Sequence, residues 1–218
     1  MRRLALRASF ADYAVAWIFL GIFVLTELVY ALLRAHDQAA LVSWASTSVY
    51  NLRHHPVSSL LTSAFIPQES ASAWPLLIAL SMFGANRALG NWRTAVVCAA
   101  GQVIGTLVSE AIVAYRVTHG QLPAVDRYLT DIGPSYVVVA AIVVALLLGS
   151  WLARVGAAVA LLLLIVVGDI FGGLSQLQVS AVGHVTAIVI AAAATGVVAW
   201  QARRRARRTT AANPASPG

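Results

Sequence analysis

Six apolar segments constrain this chain more than any other feature, because each is close to the length needed to cross lipid. The hydrocarbon core of a bilayer takes about 20 apolar residues per helix. Such segments run over residues 13–33, 74–89, 94–115, 133–148, 151–169 and 179–200, the second and fourth being the shortest. Inside lipid each must satisfy its own backbone N–H and C=O groups, so each is expected to be a helix. Composition agrees: 60% of the 218 residues are hydrophobic and 11% charged, where a soluble domain carries about a quarter charged residues. That balance excludes a water-soluble globule. The reading is an all-α, polytopic membrane protein of six transmembrane helices over residues 1–202. Residues 203–218 read as a basic juxtamembrane cluster and a disordered tail. The first apolar run exceeds the roughly 7–15 residues of a signal-peptide core, so it reads as a retained helix.

The arginines orient the bundle. All 15 basic residues are Arg. Six spans put both termini on one side. If that side is cytoplasmic, it collects Arg2, Arg3, Arg7, Arg87, Arg93, Arg154 and the five arginines of the 203–208 cluster. Only Arg34, Arg53, Arg116 and Arg127 remain outside, a strong positive-inside bias. Trp17, Trp92, Trp151 and Trp200 then fall near the inner interface and Trp74 near the outer one. Between the first two spans, residues 39–44 and 58–66 are apolar but too short to cross. They read as interfacial or re-entrant helices separated by polar residues 51–55. The terminal basic cluster fits topology anchoring and contact with anionic lipid; it is too short to suggest nucleic-acid binding. The abundant Ala and all-Arg usage suggest a bacterial chain, in the cell's plasma membrane.

Ionisable and nucleophilic groups are costly in lipid and are therefore functional candidates. They are Glu27, Glu110, Asp169, Ser135 and His184. His36, His54, His55 and His119 lie in connecting segments, and no metal-ligand spacing such as H-E-x-x-H occurs, so no metal site is expected. The lone Cys98 permits no internal disulfide, and no cofactor is implied. Ser135 lies just inside the fourth span and His184 about five residues into the sixth, both entering from the outside. At ~1.5 Å per residue the two sit at similar depth. A serine and an imidazole that meet there form the minimal pair for nucleophilic acyl transfer. Each also has a plain structural role, as hydrogen-bonding glue between helices. Gly101, Gly105 and Ser109, and Gly183, Ala187 and Ala191, recur at every fourth position and allow close helix packing.

Taken together, these landmarks resemble the rhomboid family of intramembrane serine proteases. The segment from His55-Pro56-Val57-Ser58-Ser59 to Phe65 is similar to the family's outer segment before its second span. Phe83-Gly84-Ala85-Asn86-Arg87 through Gly90-Asn91-Trp92-Arg93 resembles the end of that span and the inner turn. Gly133-Pro134-Ser135 resembles the G-x-S-G nucleophile motif, and Gly183-His184 with Ala187 and Ala191 the histidine helix. The resemblance spans residues 51–194 and implies a rhomboid-like bundle. In it Ser135 is the nucleophile and His184 the general base, and the outer end of a substrate transmembrane helix is cut. The implied partners are a transmembrane substrate or client and the bilayer.

Three departures bear on activity. Tyr136 stands where family proteases follow the nucleophile with Gly, and its ring is expected to crowd the fourth and sixth helices unless it swings outward. The family's oxyanion hole uses backbone N–H groups at the nucleophile and the residue before it, but Pro134 has none. Its side-chain donors, an Asn and a His, fall on Leu76 and Ser72. That leaves the Ser135 N–H and the Ser72 hydroxyl. Two functions therefore stay open: a working Ser–His protease, and an inactive relative that binds transmembrane segments. A solute transporter using Glu27, Glu110 and Asp169 is a third class, but no inverted repeat or broken helix pair accompanies them.

Overall fold

Apolar, helix-favouring runs bounded by Gly, Pro and Ser become helices at the positions their pattern predicts. The computed structural model describes residues 10–67 and 72–212. Among them are nine α-helices: α1 (Ala14–Leu32), α2 (Ala35–Ala45), α3 (Val49–His54), α4 (Pro56–Thr62), α5 (Trp74–Leu89), α6 (Asn91–Thr118), α7 (Ser135–Leu148), α8 (Trp151–Val166) and α9 (Val179–Ala212). Helices α1 and α5 to α9 correspond to the six apolar runs. Three stretches are long and apolar enough to cross a membrane: Phe10–Leu32, Asn91–Thr118 and Val179–Arg205. Helices α7 and α8 are shorter apolar helices.

The helix α7 sits at the centre, packed against α5, α6, α8 and α9. Its residues are apolar on every side, and all of Ser135–Ile142 is buried. A helix with no polar face belongs inside a larger assembly. The outward surfaces of the flanking helices are apolar as well: Ile18, Leu25, Leu28 and Leu32 on α1, and Leu152, Leu162 and Val166 on α8, are exposed. Contiguous apolar surface of this extent is suited to lipid.

Close helix contacts are set by missing side chains. A β-carbon on Gly84 would stand 2.9 Å from Ala153 Cβ, which brings α5 against α8. On Gly101 it would stand 2.9 Å from Ala140 Cβ, and on Gly105 3.0 Å from the Gly183 carbonyl, so α6 seats on α7 and α9. Ala187 and Ala191 are fully buried on the same face of α9.

Two stretches differ from the sequence reading. The polar residues 51–55, expected as a break, lie mostly within α3, because Ser48 caps it by accepting the Asn51 N–H at 3.2 Å. Asn51 then donates to the carbonyls of Ser43 and Ser46, at 2.7 and 2.8 Å. At the other end, α9 runs through the basic cluster to Ala212, where a disordered tail was expected from Thr209. Arg and Ala are strong helix formers, so nothing local stops it; residues 213–218 lie outside the described residues.

Candidate active site

The turn before α7 is built to start a helix. Gly133 takes φ +112, a conformation that disfavours a β-carbon, and its N–H donates to the Ser63 carbonyl at 2.8 Å. Pro134 follows with no N–H to leave unsatisfied, and Ser135 is the first residue of the helix. The first-turn N–H groups of a helix have no intrahelical acceptor; the first such bond here runs from Val138 to Pro134 at 2.9 Å. Ser135 is 9% exposed.

His184 lies near the start of α9 and is 3% exposed. Its Nδ1 is 2.8 Å from the Ile170 carbonyl. A carbonyl can only accept, so in the neutral ring Nδ1 carries the proton and Nε2 the lone pair. That Nε2 is buried and without a hydrogen-bond partner. Ser180 Oγ, one turn before it, stands 3.5 Å from Nδ1. No hydrogen bond joins Ser135 to His184.

Tyr136 fills the space between their helices. It is 2% exposed, and its ring meets the His184 imidazole edge-to-face, with centroids 5.1 Å apart and planes at 79°. The expected crowding is avoided because Gly183 yields the room: a β-carbon there would overlap the tyrosine ring. The small residue beside His184 thus serves two contacts, the α6 backbone and the Tyr136 ring. The tyrosine hydroxyl donates to Asp131 Oδ2 at 3.0 Å and also lies 3.3 Å from the Val179 carbonyl.

Asp131 is a residue that sequence reasoning passed over, since a lone acid in a connecting segment carries no spacing signal. It is tied down at every polar atom group. Its N–H donates to Ser46 Oγ at 2.8 Å, and its carbonyl accepts from the Thr47 N–H at 3.0 Å. Thr47 Oγ1 lies 3.1 Å from the same carbonyl and 3.3 Å from Oδ2. Burial pushes the Asp131 carboxyl up to about 6, while the hydrogen bonds from Tyr136 and Thr47 hold it partly down.

The remaining candidates lie elsewhere. Ser72 donates both its N–H and its hydroxyl to Glu27, each at 2.6 Å, so that hydroxyl is committed. Leu76 is 57% exposed on α5. Glu110 on α6 is 3% exposed, and neither carboxyl oxygen has a geometric hydrogen bond. Asp169 stands in the turn after α8 with φ +42. Among the described residues no three His, Cys, Asp or Glu side chains gather as metal ligands. A cavity of about 430 Å³, lined in part by Arg116, Asp126, Gln176, Gln178 and Ser180, opens near the start of α9.

A central apolar helix that begins on a serine, flanked by a helix carrying a buried histidine, defines a helical membrane protein with a candidate acyl-transfer site. The chain belongs to the rhomboid-like proteins, whose family model matches residues 11–206. It is a multi-pass membrane protein. No curated protein and no solved structure gives a significant match.

Proposed function

We propose that this protein is an intramembrane serine endopeptidase that cuts a substrate transmembrane helix near its outer end, with Ser135 as nucleophile and His184 as general base. The observation that carries this reading is the state of His184. Its Nδ1–H is held by the Ile170 carbonyl, and the opposite nitrogen is buried with no partner. A buried imidazole kept in one tautomer with a free lone pair is costly as a purely structural device, and it is the form a general base requires. Catalytic hydrogen bonds are often long in resting enzymes, so the open Ser135–His184 contact fits a site that closes on substrate. In the reaction, Ser135 Oγ attacks the scissile carbonyl carbon and His184 Nε2 takes its proton. The imidazolium then protonates the leaving amine, and water hydrolyses the acyl-enzyme with the same base. The Ser135 N–H supports the oxyanion. The family's additional donors are missing or committed here, and each such loss costs about 2.7–4 kcal/mol of transition-state stabilisation, so turnover is slow. The membrane arrangement that goes with this reading is six spans, both termini cytoplasmic, in a bacterial plasma membrane.

A second reading is favoured by the commitment of Ser72 to Glu27 and by the absent Pro134 N–H. In that reading the bundle binds transmembrane segments of client proteins without cutting them. Incubating detergent-solubilised protein with a fluorophosphonate probe separates the two. Labelling of the wild type that disappears in Ser135→Ala and His184→Ala supports the protease. Folded wild type that stays unlabelled, beside an active rhomboid that labels, sinks the protease in favour of the binder.

A further inference from the structure

The Tyr136 hydroxyl and the Asp131 carboxylate are none of the groups that the proposed acyl transfer bonds or protonates. Yet they form one continuous chain of contacts with the base. Asp131 Oδ2 accepts from Tyr136 at 3.0 Å, and the Tyr136 ring stands edge-to-face on His184 at 5.1 Å. Gly183 leaves the ring no side chain to lean on, so its position is set by what holds its hydroxyl and by the helices around it. What holds the hydroxyl is rigid in turn, because Asp131 is bonded through its N–H, its carbonyl and its carboxylate to Ser46 and Thr47. A ring pinned at its far end can fix the plane of the imidazole it abuts. The Ile170 carbonyl holds that imidazole at Nδ1, and the Tyr136 ring is a second contact on it.

We propose that Asp131 is a positioning residue for the acyl-transfer site: through the Tyr136 hydroxyl it holds the tyrosine ring against His184 and so keeps Nε2 in reach of Ser135. This rests on the protease reading above and supplies the third member that the serine and histidine lack, an acid acting through an aromatic ring instead of bonding the imidazole itself. It also joins the segment between α1 and α5 to the base. Ser46 and Thr47 grip Asp131, and Ser63 grips Gly133, so that segment holds the turn leading into Ser135 at two points.

The experiment is the rate of fluorophosphonate labelling, read separately from its final extent, for the full chain and for Tyr136→Phe, Asp131→Ala, Asp131→Asn and the Asp131→Ala/Tyr136→Phe pair. Tyr136→Phe keeps the ring and removes only the hydroxyl. If Asp131 positions the base, Tyr136→Phe and Asp131→Ala each slow labelling about tenfold, the size of one lost hydrogen bond. The final labelled fraction stays at the wild-type level, and the double variant is no slower than either single one, as expected for two members of one contact. Asp131→Asn, which keeps an acceptor oxygen, recovers most of the rate. Wild-type rates in both single variants, or an additive loss in the double variant, overturn the positioning role and leave the protease reading intact. A reduced labelled fraction at unchanged rate also overturns it, since that is what a merely structural role produces. Absence of any labelling in the wild type removes the protease reading and this proposal together.

Discussion

At the scale of single residues, the site is governed by which polar atoms are satisfied and which are not. His184 Nε2 and both oxygens of Glu110 are buried and lack geometric partners, while the hydroxyls of Ser72 and Thr47 and the Asp131 carboxylate are bonded to neighbours. Asp131 makes a pH prediction. Burial lifts its carboxyl from 3.8 to about 6, so the folded protein holds that proton more tightly than the unfolded chain does. The associated stabilisation is fully present below about pH 4 and is lost as pH rises through about 6. The thermal midpoint of the solubilised wild type, taken relative to Asp131→Asn, is therefore expected to fall between about pH 4 and pH 7, because the amide cannot ionise. Glu110 on α6 and Tyr136 on α7, the ionisable groups facing this carboxyl, are present in both proteins. A flat difference across that range would show that Asp131 ionises as it does in water.

At the scale of elements, the turn between α5 and α6 does structural work that its motif does not announce. Asn86 Oδ1 accepts the Ala16 N–H at 3.1 Å, and its Nδ2 donates to the Asp12 carbonyl and to Asn91 Oδ1, both at 2.9 Å. Asn91 Oδ1 accepts from Val15 and its Nδ2 donates to the Ala11 carbonyl, at 3.3 and 2.7 Å. Together the two asparagines cap the start of α1, whose own N-cap position, Tyr13, offers no side-chain bond. Asn86 is 1% exposed, so removing its amide leaves the buried Ala16 N–H without its acceptor and breaks two part-buried bonds. Asn86→Ala is expected to cost about 1–3 kcal/mol, seen as a lower thermal midpoint with protease accessibility increased at the start of α1. An unchanged midpoint would mean that water or lipid headgroups serve the α1 terminus equally well. The arginines serve helix ends in the same way: Arg154 donates to the carbonyls of Gly149 and Leu147, and Arg116 to that of Gln176.

At the scale of the whole molecule, the apolar exterior and the short central helix define how the bundle sits in lipid. Fourteen residues of α7 span about 21 Å at ~1.5 Å per residue, less than the ~30 Å of a bilayer core. Being buried over Ser135–Ile142, most of α7 does not need to match the bilayer. Its start is covered by the α1–α5 connection, stapled to it through Thr47–Asp131 and Ser63–Gly133. The proposed six-span arrangement predicts the sidedness of both ends of α9. Cys98 is 4% exposed and gives little background, so single cysteines report cleanly. A cysteine at Arg203 is expected to react with a membrane-impermeant maleimide only after cells are permeabilised, and one at Ser175 without permeabilisation. The reverse pattern would invert the bundle and place the candidate site on the cytoplasmic side.

The helical architecture was legible in the chain because hydropathy and helix termination are local. Apolar runs, Gly133-Pro134 before α7, Gly90 before α6 and Ser150 before α8 act within a turn of themselves. Ser135 and His184 stood out for the same reason, as polar residues in apolar stretches. The arrangement around them was not legible. That Tyr136 would lie on Gly183 beside His184, that Asp131 would hold its hydroxyl, and that Glu27 would take Ser72 all depend on contacts between residues 5 to 48 positions apart. Such contacts carry no periodicity, since their energy comes from how helices cross and which side chains are absent at the crossing. Local composition thus determined what this protein is made of and the solvent it needs. Only the packing of the helices and their connections decided which polar atoms meet, because that is settled by excluded volume in three dimensions.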